Sequence, residues 1–183
     1  MKLPGLLFGS LLILALTGCS AVYTIQPIGE KPSKIEARDW EGTWIHKEGS
    51  VTVRVMDEED GLLRIAWIER KGEGLAFETH DVQLRETGSW VFANTKDDDT
   101  DEPRYLWARI KRDGKQVIVW LPDEAKFKVL VEEGKLPGRT QGLDVILDNL
   151  EPEHLSIITG EPEGLRFLWD QPVALIRFTQ EDR

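Results

Sequence analysis

The chain has 183 residues, with 33 acidic side chains against 23 basic ones, a formal net charge of −10 and a single cysteine. One cysteine builds neither a disulfide framework nor a cysteine-rich zinc site, and the acidic balance lacks the basic footprint of a nucleic-acid binder. With 40% apolar residues there is material for a real core, and the length suits one domain with an appendage.

In chain order, the first element is a leader. Met1 and Lys2 make a short positive start, and Leu3 to Leu16 is an apolar run broken by Pro4, Gly5 and Gly9. It falls short of the ~20 apolar residues of a comfortable membrane span and reads as a secretory signal over residues 1–18. It ends Leu16-Thr17-Gly18-Cys19-Ser20. That ending resembles the bacterial lipobox: a leucine, two small residues, then cysteine. The resemblance implies a lipoprotein in which Cys19 receives a diacylglycerol, cleavage falls before it, and the new amine is acylated. The thiol is then neither nucleophile nor metal ligand. Ser20 rather than Asp after the cysteine resembles an outer-membrane destination, with the domain facing the periplasm. Two or three acyl chains anchor stably. An acidic body is repelled by anionic headgroups, so the lipid on Cys19 is the expected hold on the membrane.

Residues 19–39 carry Pro27, Gly29, Pro32 and Ser33 and no sustained period, which predicts a flexible tether. Residues 40–183 form the expected globular domain. Val51, Val53 and Val55 alternate with Thr52, Arg54 and Met56. Leu63, Ile65 and Trp67 share a face after the acidic loop 57–61, so the two runs predict a hairpin. Leu75 to Leu84 is a third strand whose alternation changes phase, predicting a bulge near His80-Asp81. Trp90 to Thr95 is a fourth. A hairpin turns at Asp113-Gly114. With a two-residue turn Ile110 opposes Val117, Ala108 opposes Val119, Leu106 opposes Leu121, and Trp107 opposes Trp120.

Asp123 as N-cap and Gly134 as stop predict a short helix over about 123–133, with Phe127, Leu130 and Val131 on one face. Pro152 in a first turn predicts a second helix over about 151–159. Val145–Leu147, Leu165–Trp169 and Val173–Phe178 read as strands. The fold class is therefore mainly β: an antiparallel barrel or strongly bent sheet with two short helices. Gly42-Thr43-Trp44 in the first strand and Arg177 in the last resemble the lipocalins, whose Gly-x-Trp packs under an arginine near the barrel's end. The resemblance implies a lipocalin-like barrel and a stacked Trp44–Arg177 pair. The family's long C-terminal helix has no counterpart before Arg183.

Chemistry-bearing patterns are sparse. No His array, G-x-S-x-G elbow or P-loop is present, so no catalytic residue, metal ligand or cofactor is assigned. The acidic run 97–102 fails the EF-hand spacing, since Glu102 stands at loop position six and Ala108 at position twelve. Trp107 and Trp120 are candidate binding residues. Either a helix folds back over them, or they line the barrel, or they form an exposed patch. The expectation is a non-enzymatic, membrane-anchored envelope lipoprotein that binds an apolar ligand or a protein partner. One alternative is a structural accessory of the outer membrane acting through an acidic face. The other is a hydrolase using His80 and Asp81.

Overall fold

The computed structural model describes residues 20–47, 49–71, 74–98, 100, 102–160 and 167–179. The leader at 1–18 and the lipobox cysteine, Cys19, lie outside the described residues.

Eight antiparallel strands close into a barrel. β3 (Gly42–His46), β4 (Gly49–Asp57), β5 (Leu62–Lys71), β6 (Gly74–Thr87), β7 (Trp90–Lys96) and β8 (Tyr105–Asp113) pair in succession. β12 (Val173–Arg177) lies between β3 and β9 (Gln116–Trp120), and β9 pairs with β8 to complete the circle. The alternation of the sequence makes this possible. Trp44, Val51, Val53, Leu63, Trp67 and Leu84 turn inward, while Thr43, Thr52, Arg54 and Arg64 take the opposite face. The expected β4–β5 hairpin forms with Leu63, Ile65 and Trp67 on that inner side, and a register irregularity follows Val55.

One end of the barrel is closed by a one-turn helix, α1 (Ala37–Trp40), beyond the two helices expected. Trp44 Nε1 donates to the Trp40 carbonyl at 2.8 Å, and Arg112 pairs with Asp39 at 2.9 Å. Near that end Gly61 has φ +61°, and a Cβ there would come within 2.8 Å of the Leu84 carbonyl oxygen. Only glycine takes that backbone without cost.

A second core lies outside the barrel. β1 (Val22–Thr24) pairs with the start of β8 and runs parallel to β11 (Asp144–Leu147), with β10 (Gly138–Gln141) at the edge. α2 (Glu124–Glu132) and α3 (Pro152–Thr159) bring Phe127, Leu130, Leu155 and Ile158 onto the outward face of β7 and β8. Both helices sit where their signals predict. The Asp123 side chain accepts from the Lys126 amide, Gly134 adopts φ +67°, and Pro152 opens α3.

Four expectations are corrected. Residues 20–39 are not a tether. Val22, Tyr23 and Ile28 are buried, β1 is in the sheet, and β2 (Lys31–Pro32) pairs with β6. Buried Asn94 clamps Ile28, accepting from its amide at 2.7 Å and donating to its carbonyl at 3.1 Å. The β8–β9 turn is Gly114-Lys115, so Ile110 opposes Val119 and Arg109, not Trp107, opposes Trp120. The slip is two residues, which preserves every face. No bulge occurs at His80-Asp81, where β5 and β6 stay in register from Leu62↔Gln83 to Lys71↔Gly74. The phase change arises because Leu75 and Phe77 are exposed on the outer face, whereas Val82 and Leu84 point inward. Finally, the described part of the expected strand 165–169 makes a single bridge, Pro122↔Phe167.

Candidate functional site

The barrel is not filled. It encloses an apolar cavity of about 150 Å³. Trp44, Val53, Ile65 and Leu84 line one side of it, Ile110, Val119 and Leu175 the other, and Trp40 stands at the α1 end. Its origin is a cross-strand pair of small residues. Ala93 on β7 faces Ala108 on β8, and both line the space. Two alanines at neighbouring inward positions leave the volume that larger side chains would occupy.

The wall of the barrel is incomplete beside this cavity. Pairing of β6 with β7 ends at Val82↔Thr95, whereas β6 extends back to Gly74. Among the described residues, 74–81 of β6 pair with β5 alone. A polar groove occupies that side, lined by Arg64, His80, Asp81, Thr95, Lys96 and Asp98. Thr95 lines both the groove and the cavity.

The groove separates two residues that the sequence places together. His80 and Asp81 are neighbours on a regular strand, so they leave on opposite faces. Asp81 takes a two-pronged bond from Arg64, 2.7 Å to Nε and 2.9 Å to Nη2. Those hydrogen bonds hold its carboxyl below the ordinary aspartate range, opposed by burial and aided by the charge of Arg64. His80 turns inward with Val82. Its Nε2 is buried without a hydrogen bond, and the Glu78 carboxylate lies 3.6 Å away. A His80–Asp81 dyad therefore does not form, and the hydrolase built on it loses its geometric basis.

The two candidate tryptophans part company. Trp107 is 2% exposed in the outer core, with ring centroids 5.5 Å from Phe127 of α2 and 5.8 Å from Phe92 and Phe167. Helix α2 covers Trp107 through Phe127, and Trp107 also borders the barrel cavity. Trp120 is half-buried, its ring centroid 5.2 Å from that of Trp169, and the Arg109 guanidinium carbon lies 5.2 Å from the first and 4.6 Å from the second. Arg177 Cζ is 5.8 Å from the Trp44 ring centroid, so that expected pair is present. Arg177 also donates to the Arg38 carbonyl at 2.7 Å and to the Glu41 carbonyl, tying the last strand to α1.

The acidic run 97–102 is partly neutralised. Arg104 pairs with Asp97 at 2.7 Å and Arg139 with Glu102 at 2.9 Å. Among the described residues no group of three or more His, Cys, Asp or Glu side chains could hold a metal ion, and no helix is long and apolar enough to cross a membrane.

Sequence reading missed the cavity and the groove. The inward alternations Val91-Ala93-Thr95 and Leu106-Ala108-Ile110 carry the signal for the first, but only a register that pairs Ala93 with Ala108 turns two small residues into one space. Glu78, His80 and Val82, spaced by two, carry the signal for the second.

The fold and the site together define an eight-stranded antiparallel β-barrel protein with an apolar internal cavity and a polar groove in its side. No protein-family model, curated protein or solved structure matches the chain.

Proposed function

We propose that the protein is a lipid-anchored, non-catalytic component of the bacterial envelope, anchored through Cys19 in the outer membrane, whose barrel binds a small apolar molecule or an apolar segment of a larger one. The observation that carries the ligand reading is the apolar cavity of about 150 Å³ behind the Ala93–Ala108 pair. A space of that size and lining stays dry and accepts an apolar guest of roughly benzene size, because water gains no hydrogen-bond partners there. The lipocalin-like pair Trp44 and Arg177 supports the same reading at the level of fold.

The anchor reading rests on the Leu16-Thr17-Gly18-Cys19 motif. Its consequence follows from the packed N-terminal segment. The Ala21 amide donates to Asp144 at 2.9 Å and the Ala21 carbonyl accepts from Val145 at 2.9 Å. Cys19 is two residues away, a reach of at most ~7 Å. A lipid there holds the domain close to the bilayer, with no spacer between them.

Two measurements test the proposal. Benzene, followed by ligand-observed NMR titration, is expected to bind the wild-type barrel saturably and to lose affinity at least tenfold in Ala93→Leu, which fills the space without opening the fold. Equal binding by the two proteins removes the cavity from the explanation. Mass spectrometry of the protein from bacterial membranes is expected to find Cys19 modified by a diacylglycerol. Cys19→Ala then leaves the membrane fraction, and an unmodified Cys19 overturns the anchor.

A further inference from the structure

We propose that the free edge of β6 pairs with the same edge of a second copy of this chain, antiparallel about a two-fold axis at Phe77, to give a symmetric dimer. The inference is independent of the cavity ligand and of the lipid anchor.

The backbone shows which groups are on offer. β7 leaves β6 after Thr95, and among the described residues 74–81 have β5 as their sole strand neighbour. Successive residues of a strand aim their N–H and C=O groups at opposite edges. Three hydrogen bonds fix the direction. On the β5 side the Leu84 amide donates to the Gly61 carbonyl at 2.8 Å. On the β7 side the Gln83 carbonyl accepts from Asn94 Nδ2 at 3.3 Å, and the Asp81 carbonyl accepts from Thr95 Oγ1 at 3.1 Å. Odd-numbered residues therefore face the gap. Leu75, Phe77 and Thr79 present there a row of backbone donors and acceptors with no strand partner among the described residues. Such a row is a template for another strand. The side chains beside it are apolar and open to solvent, Leu75 at 76% and Phe77 at 68% exposed.

Register and charge single out a second copy as the occupant. The gap has room for residues 74–80 to overlap their own copy in reverse, which sets Phe77 on Phe77 and Leu75 on Thr79. Each donor of the three odd residues then meets an acceptor, because the two-fold axis repeats the row backwards. On the inner face Ala76 opposes Glu78 and Gly74 opposes His80, so no like charges meet. Moving the axis one residue on would put Glu78 on Glu78, an unfavourable pair. β5 ends in Arg70 and Lys71, which pair with Leu75 and Gly74. The register carries the partner's Arg70 and the partner's Lys71 to the level of Thr79 and His80, beside the acidic run 97–102 that follows β7. Asp98 in that run is exposed and held by Lys96 only at 3.5 Å. Symmetry makes the contact twice, which offsets the repulsion between two bodies of net charge −10.

The test uses the chain from residue 20 onward, the span that the structure describes as one packed body. Sedimentation velocity over a hundredfold range of concentration is expected to show a reversible monomer–dimer equilibrium. Thr79→Pro removes one gap-facing N–H and leaves the β5 ladder intact. Phe77→Lys, at an exposed site that the fold does not need, puts like charges on the axis. Each is expected to weaken association at least tenfold with melting unchanged, and Arg70→Glu with Lys71→Glu at least threefold. The chain from residue 20 has no cysteine, so register is read by mixing Leu75→Cys with Thr79→Cys. Opposed Cα atoms lie ~5.5 Å apart, within disulfide range. Mild oxidation is expected to link the mixture and neither variant alone. A chain that stays monomeric overturns the proposal. If that monomer binds vesicles of phosphatidylethanolamine and phosphatidylglycerol and Phe77→Lys does not, the face belongs to a bilayer instead. A dimer that survives both Thr79→Pro and Phe77→Lys, or cysteines that link equally well alone, would place the contact elsewhere and overturn it too.

Discussion

The guanidinium carbon of Arg109 lies 3.8 Å from the centroid of the Trp90 ring, with Trp169 at 4.6 Å and Trp120 at 5.2 Å. Three tryptophans from β7, β9 and the segment before β12 thus gather around one cation on β8. A desolvated cation–π contact is worth ~2 kcal/mol, an exposed one ~0.5–1. Arg109→Met keeps most of the apolar stem and removes the charge, so it is expected to lower stability by about 1–2 kcal/mol. Arg109→Ala is expected to cost more, because the packing of the stem goes too. Urea denaturation followed by tryptophan fluorescence measures both. A methionine variant as stable as wild type would show that the rings need only a filler.

Arg177 performs a different task at the closed end of the barrel. It lies against Trp44 while donating to the carbonyls of Arg38 and Glu41, on either side of α1. Arg177→Ala removes both donors, and each such bond to a charged group contributes roughly 1.5–3 kcal/mol before solvent competes at this half-exposed site. The expected loss is about 1–3 kcal/mol, and it is local. Amide exchange over 37–41 should quicken while α2 and α3 keep their protection. Uniform quickening across the barrel would instead show that Arg177 supports the whole sheet.

These two arginines show what the sequence can carry. Arg177 was readable because a short motif names its partner. The cage around Arg109 was not, because Trp120 reaches it only in a register two residues from the one the Asp113-Gly114 turn suggests. Strand period fixes which face a side chain takes and leaves even-numbered slips undetermined. That is why inward residues such as Leu63, Ile65 and Trp67 came out correctly, and the cavity behind Ala93 and Ala108 did not. The helices were legible because Asp123, Gly134 and Pro152 act locally. The packed segment before α1 was not, since its hold on the body is Asn94, sixty-six residues away from Ile28. Leu75 and Phe77 misled for the opposite reason: exposed apolar residues at strand spacing look like an inner face.

The Arg64–Asp81 pair makes stability depend on pH in a stated direction. The bonds from Arg64 hold the Asp81 carboxyl below its ordinary range in the folded protein. A group depressed on folding adds stability above its unfolded value, near 3.9, and loses it as pH falls through the lower folded value. Both side chains are about half exposed, so the contribution is small and salt weakens it. Carbon-detected NMR titration of Asp81 is expected to give a midpoint below that of an unstructured aspartate. Arg64→Gln should bring the midpoint back up, and 1 M salt should do so in part. A midpoint at or above the ordinary value would mean that the bidentate pair is not populated in solution.

The most demanding prediction concerns where the folded body begins. If residues 20–39 were a tether, a chain starting at residue 34 would keep the full stability of the barrel. In the structure that cut removes β1 from between β8 and β11, and takes Val22 and Ile28 out of the outer core. Burying one such side chain contributes ~1.5–3 kcal/mol. Asn94 would also be left buried with the Ile28 amide and carbonyl gone, at ~1–3 kcal/mol for each unpaired group. Together these approach the ~5–15 kcal/mol that holds a typical domain. The chain from residue 20 is therefore expected to melt cooperatively with a full near-ultraviolet signal, and the chain from residue 34 to lack one or both. Ile28→Ala in the longer chain gives the graded version, an expected loss of ~2–5 kcal/mol at a 2% exposed site. Equal melting of the two chains would return this segment to the role of a spacer and set the barrel free of the membrane.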